Sequence, residues 1–297
     1  MFQGINAIEF SSRFKDNDSC YEYLLEKKWG NGYQCIHCGC MESNKGRTRY
    51  YKRCKRCGYD ESVTANTVFH DMKMPILKAF HLAFRIGSKK KGMSTVELGS
   101  EVGVEQKTAW LFKRKIQEIL EDKVKLKGNV HADEMIVGGY SAGVEHRGRS
   151  LKEKSAVVVA AEILKDGRTG NINFETIENF EADTLKYALK DMIDEKADIV
   201  TDRLASYESL KEEMNIEILK SKKGKAMEEL HKQIMLFKNW LRGIHHKCSK
   251  ALLKKYLNEY KFRFNNRNRR YLIFDTLIAQ LMHYHPQPYA VLKVKCE

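Results

Sequence analysis

The sequence predicts an α/β protein in three parts, and three observations support this fold class. Two Cys-x-x-Cys pairs lie within residues 35–57, apolar residues recur at helical spacing over 75–120, and strand-like apolar runs begin near residue 129. We therefore expect a metal-bound ribbon region over 1–68 and a helical region over 69–128. A mixed-sheet domain with basic C-terminal helices is expected over 129–297.

The composition narrows the class of protein. Lys and Arg number 53 against 39 Asp and Glu, a net charge of +14, which favours a polyanionic partner such as nucleic acid. The 42% hydrophobic content and only three prolines exclude a disordered or collagen-like chain. The apolar runs are far shorter than the roughly 18 residues of a membrane span. The first residues, MFQGINAIEF, do not resemble a secretory leader, so we expect a cytoplasmic protein without a membrane partner.

Four of the eight cysteines form the N-terminal metal motif. They are two pairs with fifteen residues between them, Cys35 and Cys38, then Cys54 and Cys57. Such spacing lets four thiolates surround one tetrahedral Zn²⁺, and Gly39 and Gly58 follow the pairs where a turn needs positive φ. Disulfides are disfavoured in an intracellular chain, and a single redox motif does not explain two pairs. The zinc is predicted to be structural, since so small a module has little core without it. The sequence leaves open whether the ribbon contacts DNA or protein.

The helical region has the pattern of a helix-turn-helix. A helix is predicted over Pro75–Ile86, and a second begins at Ser94, which with Glu97 fits a capping box. Gly99–Gly103 is predicted as the turn and Val104–Leu120 as the following helix. If the motif reads DNA, the DNA-facing side chains are expected to be Glu105, Gln106, Lys107 and Lys113. The alternative is a plain helical hairpin that joins domains.

The second half of the sequence predicts the mixed sheet. Strands are expected at Asn129–Val137, Ser155–Ile163, Gly170–Ile177 and Asp198–Asp202, with a helix over Asp183–Lys196 before the last. Three meander strands, a helix and a strand that ends on an acid are the order typical of an RNase H-like domain. If the first and fourth strands pair, Asp133 and Asp202 lie side by side. Two such carboxylates can bridge two Mg²⁺ ions for phosphoryl displacement. The alternative for either residue is an ordinary turn or surface acid.

Several longer strings carry a resemblance to a known family. They are the Asp133–Gly139 string DEMIVGG, the Thr201-Asp202 pair with Tyr207 after it, the Leu236–His246 string LFKNWLRGIHH, and the Tyr256–Arg267 string YLNEYKFRFNNR. Together with the ribbon, they resemble insertion-sequence transposases of the DDE superfamily. The similar branch has an N-terminal zinc ribbon, and its third catalytic position is Glu, Asn or His followed by a Lys.

The resemblance implies residue roles. Asp133 and Asp202 are the first two catalytic acids, His231 stands at the third position, and Lys238 matches the family's lysine. His231 and Lys238 are seven residues apart and so share a helix face. The implied catalytic metal is Mg²⁺ or Mn²⁺, although imidazole is a poorer Mg²⁺ ligand than carboxylate. Glu228, one turn earlier, is therefore kept as an alternative ligand.

The remaining basic residues are predicted to follow DNA. Contacts are expected from five of them, namely Lys222, Lys223, Arg242, Arg263 and Arg267. The alternative for each is a solvated charged surface.

The resemblance implies a transposase that binds the terminal inverted repeats of an insertion sequence. It would hydrolyse a phosphodiester and transfer the strand into target DNA, acting on double-stranded DNA as a homodimer or larger oligomer associated with the nucleoid. Two alternatives stay open. One is a non-catalytic zinc-ribbon and helix-turn-helix DNA-binding protein derived from a transposase, and the other is a zinc-ribbon nuclease that acts on branched DNA.

Overall fold

The computed structural model of the chain describes residues 2–4, 6–121, 124–138, 154–219, 225–245 and 248–294. The chain divides into two compact units. The ribbon unit comprises residues 1–119 and 269–295, and the sheet unit comprises residues 120–268 with 296–297. The sequence analysis drew its boundaries after residues 68 and 128 and assigned the C-terminal helices to the sheet domain. In the structure, residues 269–295 group with the first 119 residues instead.

The ribbon unit combines a small antiparallel sheet with helices. The sheet has the order β1 (Ser43–Lys45), β2 (Tyr51–Cys54) and β3 (Asp60–Ser62). The helices are α1 (Ala7–Arg13), α2 (Asn17–Trp29), α3 (Ile76–Ser88), α4 (Thr95–Val102), α5 (Gln106–Ile119), and, after the sheet unit, α10 (Ile273–His283) and α11 (Tyr289–Val294).

Aromatic packing binds α10 to the N-terminal helices. Phe10 of α1 stacks on Phe84 of α3 at 4.2 Å between ring centroids, and Phe274 of α10 contacts Phe10 edge-on at 5.3 Å. Tyr23 of α2 donates a hydrogen bond to the buried Asp275 of α10. Rings of this size remove a large apolar area from water. The sequence segment after residue 269 therefore completes the core of the ribbon unit.

Helices α4 and α5 form the predicted helix-turn-helix, with a shorter turn than expected. Helix α4 continues to Val102, and only Gly103 adopts the left-handed conformation, at φ 67° and ψ 48°. The backbone nitrogen of Val104 donates to the carbonyl of Gly99 at 2.9 Å. A Cβ on Gly99 would lie 2.8 Å from the Val104 carbonyl oxygen, so only glycine allows this close approach. Ser94 accepts the expected hydrogen bond from the Glu97 backbone nitrogen, at 3.2 Å.

The sheet unit contains the predicted mixed sheet. Its strands are β4 (Asn129–Val137), β5 (Ser155–Ile163), β6 (Thr169–Ile177), β7 (Asp198–Thr201) and β8 (Ile216–Ile218). The spatial order is β6-β5-β4-β7-β8, with antiparallel pairs on the β6 side of β4 and parallel pairs on the β7 side. An antiparallel meander joined to parallel strands is the RNase H-like arrangement, so the predicted fold class is confirmed.

Helices cover both faces of this sheet. The helices of the unit are α6 (Ala182–Met192), α7 (Ala205–Glu208), α8 (Glu228–Ile244) and α9 (Lys250–Asn265). Short 3₁₀ helices lie at Lys225–Met227 and Arg267–Leu272. Leu185 and Leu189 of α6 share one core with β4 and β5, whereas Phe237 of α8 and Tyr260 of α9 pack in the core on the opposite face. None of the described helices is both long and apolar enough to cross a membrane.

Helix α6 is shorter than the sequence predicts. It begins at Ala182, with Glu181 rather than Asp183 as the N-cap, and it ends at Met192 rather than near Lys196. The following residue, Ile193, is extended and forms a parallel bridge with Leu126. Ile193 therefore belongs to an extended segment paired with Leu126 and not to α6.

Candidate active site

The four predicted zinc ligands meet at one end of the ribbon. Their sulfur atoms all lie within 4.8 Å of one another. The Sγ–Sγ distance is 3.6 Å between Cys35 and Cys57 and 3.5 Å between Cys38 and Cys54. Four thiolates at 2.3 Å from a tetrahedral Zn²⁺ stand about 3.8 Å apart. The sulfur cluster therefore fits one structural Zn²⁺.

The backbone of the two Cys-x-x-Cys turns is shaped by glycine and favours the thiolate form of Cys54, whereas the pKa of Cys38 is raised by burial and by hydrogen bonds from neighbouring thiols. Gly39 and Gly58 take φ values of 71° and 72°, as their positions predict. Their amides donate to the carbonyls of Cys35 and Cys54, at 2.9 and 3.1 Å. The Cys57 backbone N–H, directed at the Cys54 sulfur, lowers the pKa of Cys54 to about 6. A thiolate already favoured at neutral pH binds zinc without first losing a proton.

The pairing of β4 with β7 brings the two predicted acids together. The strands run parallel with Ala132 opposite Thr201, so Asp133 and Asp202 occupy the next position on each chain. Carboxylate oxygens of Asp133, Glu134 and Asp202 all lie within 4.8 Å of one another. We call these three residues the acidic cluster.

Each oxygen of Asp133 has a defined partner. The Glu134 backbone nitrogen donates to Oδ1 at 2.8 Å, and His231 Nε2 lies 3.1 Å from Oδ2. Burial and the neighbouring Asp202 charge raise the pKa of Asp133, whereas these two contacts oppose the rise. Asp133 is therefore held in one orientation, and the neighbouring Asp202 charge disfavours the ionisation of Asp133.

Helix α8 brings His231 and Lys238, the two predicted helix residues of the site, towards this cluster. His231 lies in its first turns, and Lys238 follows two turns later on the same face. Burial lowers the pKa of Lys238, as does the Arg242 charge, while the Asp133 carboxylate acts in the opposite direction. Lys238 is therefore within electrostatic reach of the first acid.

Glu228, the alternative ligand, does not belong to the acidic cluster. Its side chain is 69% exposed and pairs with Lys232 at 3.2 Å.

The sequence analysis missed Glu134 as a member of the cluster. Successive strand residues point to opposite faces, so the residue after Asp133 is expected to point away from it. Glu134 nevertheless reaches the acids at the strand ends, and the fully buried Tyr207 of α7 donates its hydroxyl hydrogen bond to Glu134 Oε1. Burial and the Glu134 charge raise the pKa of Tyr207 well above its ordinary range. Two adjacent acids in an apolar strand were the only sequence signal for this role.

The acidic cluster fits a divalent cation. Asp202 Oδ1 is buried and has no hydrogen-bond partner within the described part of the chain, which is costly unless a cation compensates. Carboxylate oxygens are the ligands that Mg²⁺ and Mn²⁺ prefer. His231 borders this cluster, with its Nε2 at hydrogen-bond distance, 3.1 Å, from Asp133 Oδ2.

The helix-turn-helix presents some of the predicted DNA-facing residues. Gln106 and Lys107 are exposed at the start of α5. Lys113 is only 2% exposed, and its ammonium donates to the Met93 carbonyl at 2.9 Å. The prediction that Lys113 contacts DNA is wrong, because the residue lies on the packed face of α5 beside the buried Ala109.

Two predicted DNA contacts in and just after α9 bind other residues of the sheet unit. The Arg263 side chain is 11% exposed and pairs with the buried Glu259 at 3.1 Å, so its charge already has a partner in the sheet unit and its DNA contact stays a prediction. Arg267 donates to the Thr169 carbonyl at 2.6 Å and to the Phe264 carbonyl at 2.9 Å, which ties its guanidinium to the end of β6.

The remaining predicted DNA contacts are placed differently. Arg242 is exposed in the last turn of α8. Lys222 and Lys223 lie outside the described residues.

Comparisons with known proteins identify two segments. Residues 125–265 match the ISXO2-like transposase domain, and residues 15–60 match a transposase zinc-ribbon domain. No curated protein matches the chain. Among solved structures, similar chains occur in a pre-cleavage Mos1 transpososome, at 12% identity and a TM-score of 0.29, and in the Mos1 strand transfer complex, at 13% and 0.30. Each match covers 65% of this chain and 75% of the other. Similarity this low carries no weight for the function.

Proposed function

The chain belongs to the insertion-sequence transposases of the DDE superfamily that carry an N-terminal zinc ribbon, and from this premise we propose that it cuts and joins DNA. Its substrate is double-stranded DNA at the terminal inverted repeats of a mobile element. The observation that carries the proposal is the close approach of the Asp133 and Asp202 carboxylates at neighbouring strand ends, with His231 of α8 at 3.1 Å from Asp133. Apolar side chains would stabilise this part of the fold better than charged groups placed side by side.

The catalytic ligands in this proposal are Asp133, Asp202 and His231. A divalent cation bound to them, Mg²⁺ or Mn²⁺, supplies Lewis-acid stabilisation of the charge that develops on the reacting oxygens. Asp133 enters the reaction in a fixed orientation because Glu134 and His231 hold its two oxygens. His231 Nε2 lies 3.1 Å from Asp133 Oδ2, so the imidazole would complete the ligand set of a cation bound there.

Lys238 and the exposed basic residues bind the DNA backbone. Lys238 is a mobile point charge next to the acids, and we assign it to the phosphate at the cleaved bond. Gln106, Lys107 and Arg242 are exposed and suited to DNA contacts. The joining of two element ends requires at least two copies of the chain, and we expect a homodimer or larger oligomer on DNA, associated with the nucleoid.

Two one-step displacements account for the reaction. In the first, a water oxygen bonds to phosphorus at the element end, and the bond from phosphorus to the 3′ oxygen breaks, which leaves a 3′-hydroxyl. In the second, that hydroxyl bonds to a target phosphorus and displaces a target 3′ oxygen. Neither step needs a protein nucleophile, and Tyr207 is buried and bound to Glu134.

The test is cleavage of DNA that carries the inverted repeats flanking this reading frame. We expect nicking that depends on Mg²⁺ or Mn²⁺, and we expect Asp202→Asn to abolish nicking while its DNA affinity is unchanged or higher. Equal nicking by wild type and variant would remove Asp202 from the mechanism.

A second pair of variants tests the third ligand. His231→Ala should lose nicking, and Glu228→Ala, a matched control on the same helix, should retain it. If the two results are reversed, the ligand role belongs to Glu228. Specific DNA binding without any nicking would favour the non-catalytic DNA-binding protein.

A further inference from the structure

Glu134 is the member of the acidic cluster that the proposed reaction does not use. Its carboxylate oxygen lies within 4.8 Å of those of Asp133 and Asp202, although it follows Asp133 directly in β4. Asp133 and Asp202 supply two carboxylates, and His231 adds a ring nitrogen. Mg²⁺ and Mn²⁺ prefer carboxylate oxygen to imidazole nitrogen, and Glu134 offers a further carboxylate within 4.8 Å of both aspartates.

Tyr207 fixes the position of the Glu134 carboxylate. Its hydroxyl donates to Glu134 Oε1, and its ring is fully buried in the core that β4 shares with α6. Because the ring cannot leave this core, the hydroxyl marks one fixed point for Oε1. A carboxylate held by a rigid donor keeps one orientation, as ligands held by outer hydrogen bonds do in metal sites.

The Glu134 backbone adds a second link to the site. Its N–H donates to Asp133 Oδ1 at 2.8 Å, so one residue orients the first acid with its main chain and joins the cluster with its side chain. The alternative role, a purely structural partner for Tyr207, does not explain why the carboxylate comes so close to two others. Like charges at this distance repel unless a cation lies among them.

We propose that Glu134 is the third carboxylate of the divalent-metal site and that Tyr207 is its positioning residue. The proposal rests on the proposed function, since it concerns the same site. In this proposal the three carboxylates at the ends of β4 and β7 bind the metal, and the contribution from helix α8 is the His231 imidazole.

The experiment measures Mn²⁺ binding to the full-length, zinc-loaded chain by calorimetry and by the electron paramagnetic resonance signal of free Mn²⁺. Glu134→Gln keeps the size of the side chain and removes its charge, and we expect Mn²⁺ affinity to fall by at least about tenfold. Glu228→Gln removes one charge from an exposed glutamate and should leave the affinity unchanged. Circular dichroism and zinc content establish that each variant is folded.

A double-mutant cycle tests the positioning role. Tyr207→Phe keeps the buried ring, and we expect it to weaken Mn²⁺ binding by about tenfold in the wild-type background. The same change should have no further effect when Glu134 is already glutamine, whereas a merely structural role would give additive losses. Unchanged Mn²⁺ affinity in Tyr207→Phe would overturn the positioning role, and it remains measurable if Glu134→Gln does not fold.

Asp202→Asn distinguishes a failure of the Glu134 proposal from a failure of the proposed function. If this variant loses Mn²⁺ binding while Glu134→Gln binds like wild type, the role of Glu134 is refuted and the proposed function stands. If Asp202→Asn itself binds Mn²⁺ like wild type, the metal site of the proposed function is refuted.

Discussion

Asp202→Asn should stabilise the protein when no divalent cation is present at the acidic cluster. Two carboxylate charges at the upper limit of 4.8 Å repel by about 3.5 kcal/mol at an effective dielectric constant of 20, and by about 0.9 kcal/mol at the value of water. Asp202 is partly buried, so the repulsion lies between these two values. The amide of the asparagine can also donate a hydrogen bond to a neighbouring carboxylate. We expect the free energy of unfolding of the sheet unit to rise by about 1–3 kcal/mol.

Added Mn²⁺ should remove this advantage. A cation that binds only the folded wild type stabilises it by about 2.7 kcal/mol at a concentration one hundred times its Kd. Asp202→Asn lacks one of the metal ligands, so Mn²⁺ should stabilise this variant only a little. The variant is therefore more stable than wild type without Mn²⁺, and it equals or falls below wild type at saturating Mn²⁺.

The pH dependence has a defined sign. Burial and Asp202 raise the pKa of Asp133, so the folded state holds its proton more tightly than the unfolded chain does. This contribution to stability is fully present below the ordinary Asp pKa and is lost as pH rises through the raised value. The stabilisation by Asp202→Asn should therefore be larger at pH 7 than below about pH 4.

The assay is urea denaturation in metal-stripped buffer, without a chelator that would extract the zinc, with and without Mn²⁺. Glu228→Gln is the control, because its exposed charge should change neither curve by more than about 0.5 kcal/mol. The reasoning is refuted if Asp202→Asn is less stable than wild type without metal, or if Mn²⁺ stabilises both proteins equally.

Two further predictions concern zinc and DNA. Cys54→Ser should lose the single zinc ion per chain, as measured by metal analysis, and its ribbon should unfold. Cys40→Ser, which lies outside the sulfur cluster, should keep the zinc. Zinc retained in Cys54→Ser would contradict the assignment. Lys107→Ala should weaken DNA binding and lower its salt dependence by about one unit, with unfolding almost unchanged. Lys113→Ala should instead lower the free energy of unfolding by about 1–3 kcal/mol, since it removes the hydrogen bond to the buried Met93 carbonyl. If Lys113→Ala weakened DNA binding and left stability unchanged, Lys113 would be the DNA contact after all.

The strands of the sheet unit were predictable because each is an apolar run bounded by turn residues. The predicted bounds Asn129–Val137 and Ser155–Ile163 are those of the structure. The pairing of β4 with β7, which the position of the acids suggests, brings Asp133 and Asp202 together as expected. The seven-residue spacing of His231 and Lys238 placed both on the face of α8 directed at the acids.

The contacts of three other residues depended on neighbours that chain spacing does not reveal. Lys113 lies four residues after Ala109 on the apolar face of α5, a signal of burial that the charge of the side chain obscured. Arg263 follows Glu259 by four residues, the spacing of a helical ion pair. Glu134 required the structure, because strand alternation directs its side chain to the face of Tyr207, and only the coordinates show its carboxylate within 4.8 Å of the two aspartates.

The central claim is that this site joins DNA strands, and the most direct test is strand transfer. A labelled element end with a free 3′-hydroxyl is incubated with a supercoiled target plasmid, the wild-type protein or Asp202→Asn, and Mg²⁺ or Mn²⁺. The account predicts covalent joining of the label to the plasmid by the wild type only, and only with the divalent cation. Cleavage of branched DNA without joining, or DNA binding without any joining, would contradict it.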